Sequence, residues 1–122
     1  MAGIKHIEFW VSDLKKSLPF YGELFSLIGW KKYNPNGFRC GITKIYFKEK
    51  EVSFVENIGP RHICFEADSE EVVEAVAGFL KKEDVLVIRG PVEYVYKGNT
   101  ACTIDFKDLD GYVIEVSTRS HK

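Results

Sequence analysis

The sequence predicts an α+β fold made of two copies of one strand–helix–strand unit. Three observations carry that reading. A period-two run near the amino terminus returns 56 positions later with histidine at the same place, His6 and His62. Each run leads into an amphipathic helical pattern, and β-prone stretches divided by turn sequences fill the rest of each half.

Ile4 to Val11 alternates, with Ile7, Phe9 and Val11 on one face and His6, Glu8 and Trp10 on the other, which is the period of a strand. Ser12 reads as an N-cap with Asp13 in the first turn, and Leu14, Leu18, Tyr21, Leu24, Phe25 and Ile28 recur at spacings of three and four up to Gly29. Pro19 removes one helical donor and predicts a bend. Between Trp30 and Glu56, Asn34-Pro35-Asn36-Gly37 and Lys48-Glu49-Lys50-Glu51 read as turns separating three short strands. Arg61 to Ala67 alternates again, placing Ile63, Phe65 and Ala67 opposite His62, Cys64 and Glu66. Asp68 and Ser69 open a second helix with Glu70 and Glu71 in its first turn, and Val72, Val73, Val76, Phe79 and Leu80 form its apolar stripe, ending near Lys82. Strand-like runs follow at 85–88, 92–96, 101–106 and 112–117, the last two joined through Asp108-Leu109-Asp110-Gly111.

The repeat extends beyond the histidines. A shift of 56 pairs His6 with His62, Ile7 with Ile63, Phe9 with Phe65, Gly22 with Gly78 and Leu24 with Leu80. A shift of 59 pairs residues 45–49 with 104–108 and, continued without a gap, Val55-Glu56 with Ile114-Glu115. The duplication defines module one as residues 3–57 and module two as 60–118, within one domain covering residues 1–122.

Composition narrows the function classes. At 122 residues and 45% hydrophobic, the chain is sized for a single globular domain. Its 17 basic and 18 acidic residues read as evenly spread, leaving no footprint for nucleic acid or an anionic membrane. Three widely spaced cysteines, Cys40, Cys64 and Cys102, form no CxxC pair and argue against a disulfide framework or a zinc ribbon, which predicts a reduced, cytoplasmic compartment. Met1 to Lys5 runs directly into a strand pattern, and no apolar stretch approaches about 18 residues, so neither a secretion signal nor a membrane span is expected. P-loop, GxGxxG and GxSxG patterns are absent from the sequence, which leaves nucleotide binding and serine hydrolysis without support.

Two histidines on mixed strand faces, repeated with two late glutamates, supply imidazole nitrogens and carboxylate oxygens. His6, Glu56, His62 and Glu115 are therefore candidate ligands for one divalent ion, Zn, Ni, Mn, Co or Fe. Strand alternation allows convergence, because Ile7, Phe9, Ile114 and Val116 would pack under the helices while His6 and Glu115 face away. Glu8, Trp10, Cys64 and Glu66 share the faces of their neighbouring histidines, and Glu8 is a second carboxylate beside the expected metal.

The stretch His6-Ile7-Glu8-Phe9-Trp10-Val11-Ser12-Asp13-Leu14, followed by Ser17-Leu18-Pro19-Phe20-Tyr21, resembles the first module of the vicinal oxygen chelate superfamily, which includes glyoxalase I, extradiol dioxygenases, fosfomycin-resistance proteins and bleomycin-resistance proteins. Arg61 to Glu66 resembles the opening strand of that family's second module, and Asp105 to Val116 its closing hairpin. The resemblance implies two tandem βαβββ modules forming a cup-shaped mixed sheet with helices on the outer face, and a homodimer. It also implies a divalent metal that chelates vicinal oxygens of a small-molecule substrate. Glyoxalase I uses ligands matching His6, Glu56, His62 and Glu115, with a glutamate moving the proton, so the resemblance implies a glyoxalase-like lyase or isomerase with Glu115 and Glu56 as catalytic carboxylates. Trp10 stands where glutathione-dependent members carry an arginine, which sets the glutathione substrate apart. Dioxygenases and fosfomycin-resistance proteins use only the positions of His6, His62 and Glu115. Bleomycin-resistance proteins bind drugs without metal and lose the ligand set.

Overall fold

A computed structural model of the chain describes residues 3–51 and 60–119. The chain forms two compact units, residues 1–54 and 55–122. Each is a β-α-β-β-β module.

In the first unit, β1 (His6–Val11) leads into α1 (Leu14–Ile28), followed by β2 (Lys31–Asn34), β3 (Gly37–Cys40) and β4 (Thr43–Glu49). Asp13, rather than the expected Ser12, is the N-cap. Its backbone is extended, its carboxylate accepts from the Lys15 amide at 3.0 Å, and its carbonyl starts the helical ladder by accepting from Ser17 N at 2.9 Å. The helix runs through Pro19 and closes at Gly29. The strand order is β1-β4-β3-β2, with β4 parallel to β1 and the hairpins antiparallel. Parallel pairing of β4 with β1 requires the crossover that α1 supplies. Alternation sends Phe9, Phe38, Ile45 and Phe47 to the face beneath α1, where they are buried with Tyr21, Leu24 and Phe25. Tyr21 lies 4.5 Å from Phe47 and Phe25 5.0 Å from Phe38, ring centroid to ring centroid.

The second unit repeats the plan with β5 (Ile63–Ala67), α2 (Glu70–Lys82), β6 (Val87–Tyr96), β7 (Asn99–Lys107) and β8 (Val113–Thr118), in the order β5-β8-β7-β6. Ser69 caps α2, with Glu70 and Glu71 in the first turn and Lys81 and Lys82 in the last, all favourable to the helix dipole. Val73, Val76, Phe79 and Leu80 are buried with Phe65, Ile104, Phe106, Ile114 and Val116. The two runs expected at 85–88 and 92–96 belong to one strand. Gly90, at φ +98, lets β6 continue past a shift in register along β7 instead of ending.

Strand order also corrects the alignment of the two halves. The 59-residue shift pairs β4 with β7, whereas topology pairs β4 with β8, since each lies parallel to the opening strand of its unit. The β6–β7 hairpin has strands of 10 and 9 residues against 4 and 4 in β2–β3, and this extra length displaces the closing strand of the second module.

Candidate metal centre

In the second unit, the face turned away from α2 carries a polar row. Cys64 on β5 pairs with Glu115 on β8, Glu115 with Asp105 on β7, and Asp105 with Arg89 on β6. His62 immediately precedes β5, and its Nε2 lies 3.1 Å from Glu115 Oε1. The other carboxylate oxygen, Oε2, accepts a 2.6 Å hydrogen bond from Thr103 Oγ1, which is two positions from Asp105 on the same face. Thr103 is buried, so it fixes the carboxylate from beneath. The turn before β8 is held by Asp108, whose Oδ1 accepts from the amides of Asp110 at 3.0 Å and Tyr112 at 2.8 Å.

At 3.1 Å His62 Nε2 and Glu115 Oε1 are in direct hydrogen-bond contact, and the same spacing is compatible with two ligands of a shared cation. Two donors each about 2.0–2.2 Å from one ion, at tetrahedral or octahedral angles, stand roughly 2.8–3.6 Å apart. Imidazole nitrogen and carboxylate oxygen are also the right donor types for the expected divalent metals. Two donors make half a site. Among the described residues, no three His, Cys, Asp or Glu side chains lie close enough together to enclose an ion.

Around this pair the row is electrostatically acidic. Asp105 Oδ2 lies 3.3 Å from the Arg89 guanidinium, and Asp105 Oδ1 is buried without a hydrogen-bond partner. Cys64 is an exposed residue by its overall surface, yet burial of its thiol and then the Glu115 carboxylate push that thiol up to about 12. It is therefore an un-ionised thiol at neutral pH. Beside it, Cys64, Glu66, Ser117, Thr118 and Arg119 line an open depression of about 500 Å³, with Arg119 Nε 2.8 Å from Glu66 Oε1.

The first unit presents His6 on the corresponding face. His6 pairs with Lys44 and Glu8 with Tyr46 along β4. The Tyr46 ring meets the His6 imidazole edge to face at 5.9 Å. Because Glu8 corresponds to Cys64 in the repeat, Tyr46 is the positional counterpart of Glu115. Its ring lies over Gly37, where an added Cβ would come within 2.8 Å of Tyr46 Cδ1. Glu8 Oε2 accepts from the Trp10 indole at 2.7 Å, and Trp10 is 48% exposed. Glu56 lies outside the described residues.

Sequence reading missed Thr103, Asp105 and Tyr46. All three alternate with buried apolar residues, Ile104 and Phe106 around the first two and Ile45 and Phe47 around the third, and this was the available signal.

The family model described as the Glyoxalase/Bleomycin resistance protein/Dioxygenase superfamily matches residues 3–116. The chain belongs to that superfamily. A virulence protein of Salmonella typhimurium is 28% identical over 121 residues, 93% of this chain and 82% of its own length. Two solved structures share the fold. One, from Bacillus halodurans, has a TM-score of 0.77 at 20% identity and covers 95% of each chain. The other, a glyoxalase/bleomycin resistance protein from Albidiferax ferrireducens, has a TM-score of 0.75 at 19% identity and covers 95% of this chain and 98% of its own. Among the described residues, no helix is long and apolar enough to cross a membrane.

Proposed function

We propose that this superfamily member is a divalent-metal-dependent lyase or isomerase of glyoxalase type, acting on a small substrate with vicinal oxygens. The observation that carries the reading is the His62–Glu115 pair, set at a ligand-like 3.1 Å and fixed from beneath by Thr103. His6, the repeat counterpart of His62, is the third ligand. The sequence-based set adds Glu56. One observation favours a second reading, a three-ligand enzyme of dioxygenase or fosfomycin-resistance type: the position beside the imidazole in the first module is Tyr46 rather than a carboxylate. A metal bound there would hold the substrate oxygens and stabilise enolate or oxyanion charge.

The chain's own residues supply the remainder. Thr103 keeps Glu115 Oε2 occupied, which leaves Oε1, beside His62, as the oxygen that would meet the metal, and Glu115 and Glu56 are the carboxylates proposed to move the proton. The proposed ligands come from both modules, so the proposed site would be completed within one chain or between two chains of a homodimer. Sedimentation of the metal-loaded protein distinguishes them, since a fully active monomer rules out the shared site.

Elemental analysis of the native protein beside His6→Ala and His62→Ala tests the reading. Metal present in the native protein and lost from both variants supports it. Unchanged metal content in both variants overturns it and leaves a binding module of bleomycin-resistance type.

A further inference from the structure

The two units carry opposite charge. Among the described residues, 3–51 hold nine lysines and arginines against five acidic residues, while 60–119 hold seven against twelve. The chain's near-neutral total therefore conceals a basic first module and an acidic second one, which corrects the even spread read from the sequence.

On the first module the basic charge is organised. His6, Lys44, Arg39 and Lys31 lie in one register row across β1, β4, β3 and β2, on the face turned away from α1. Two of these cations flank a single aromatic ring, with Lys44 Nζ 4.6 Å and Arg39 Cζ 5.8 Å from the centre of Tyr33. Tyr33 in turn meets Tyr46 at 6.4 Å, and Tyr46 meets His6 at 5.9 Å. Among the described residues, no carboxylate lies within ion-pair distance of Lys31, Arg39 or Lys44. Glu8, the acidic residue of the same face on β1, is engaged by Trp10.

Bringing cations together on one sheet row without carboxylates is unfavourable by Coulomb repulsion, so the row is poised for an anion. A guanidinium fork, an ammonium and two phenol hydroxyls are donors suited to a multi-oxygen anion, and aromatic rings hold the cations in place. We propose that the His6 face of the first module binds an oxyanionic group of the substrate, a phosphate, phosphonate or carboxylate, through Arg39 and Lys44, with Tyr33 positioning both. This rests on the metal reading above for its catalytic relevance, since it places the anion beside a proposed ligand.

Inorganic phosphate is the probe, titrated into chelator-treated protein and followed by backbone amide shifts. Saturable shifts centred on β3 and β4 are expected. The double variant Arg39→Gln/Lys44→Gln is expected to weaken phosphate binding at least about tenfold, through the loss of two charge-assisted contacts. Lys15→Gln/Lys16→Gln removes the same charge from exposed positions of α1 and is expected to change binding by less than about twofold. Shifts that do not saturate, or equal weakening in both double variants, overturn the proposal, and thermal melts confirm that each variant is folded. Because the titration is run without metal, its outcome is separate from the metal content of His6→Ala, which alone bears on the ligand reading.

Discussion

Thr103 donates a 2.6 Å hydrogen bond to Glu115 from a position with 1% of its surface exposed. The same hydroxyl oxygen lies 3.3 Å from the Val116 carbonyl, so the side chain is held against β8 as well as against the carboxylate. A buried hydroxyl of this kind sets the orientation of a partly exposed carboxylate.

Thr103→Val keeps the shape and removes the donor. Metal affinity is expected to fall about 10–100-fold, the usual effect of losing a partner behind a ligand. Stability is expected to fall by about 1 kcal/mol in urea unfolding. Thr103→Ser, which keeps the hydroxyl, should retain most of the metal affinity. Equal affinity in Thr103→Val and the parent protein contradicts the orienting role.

Cys64 offers a chemical reporter of the same carboxylate. With its thiol raised from 9.0 to about 12 by burial and Glu115, alkylation by iodoacetamide in metal-free protein should be slow at pH 8. Glu115→Gln removes the second cause and should speed it. The sign for stability follows from linkage: the unfolded thiol ionises near 9 while the folded one keeps its proton, so this contribution is complete below about pH 9 and is lost as pH rises toward about 12. Urea unfolding at pH 8 and pH 10.5 should show a larger loss in the parent than in Cys64→Ser.

Gly90 and Gly78 should respond to alanine in opposite directions. At Gly90 the φ of +98 is strained for alanine and a Cβ would overlap the Thr103 carbonyl, so Gly90→Ala should cost at least about 1–3 kcal/mol. Gly78 lies within α2 with nothing within 4 Å of an added Cβ, so Gly78→Ala should gain about 0.5–1 kcal/mol. Denaturant midpoints read both.

Much of this architecture was legible in the sequence because its signals are local. The alternation around His6 and His62, the helical spacing before Gly29 and the Ser69 cap with its two glutamates each lie within a few residues, and each corresponds to an element of the structure. What escaped depends on which strands pair. The ungapped match of 45–49 with 104–108 was real as letters but joined strands at different places in the sheet order, because the longer β6–β7 hairpin shifts β8 along the chain. Without the register, Tyr46 could not be recognised as the counterpart of Glu115, nor Thr103 as its support. The basic row of the first module was invisible for the same reason: Lys31, Arg39 and Lys44 are scattered in sequence and become neighbours only across paired strands. Local capping was misjudged by one residue, Asp13 in place of Ser12, since both types are good caps and only the end of β1 decides between them.

The number of carboxylate ligands separates a three-donor site from the four-donor arrangement read from the sequence. Metal-competition titration of Glu115→Gln beside Glu56→Gln addresses it directly. With His6, His62 and Glu115 as ligands, Glu115→Gln should lower affinity by about 100-fold or more, while Glu56→Gln stays within about threefold of the parent. An equal loss in both variants, or no loss in Glu115→Gln, would contradict that ligand set.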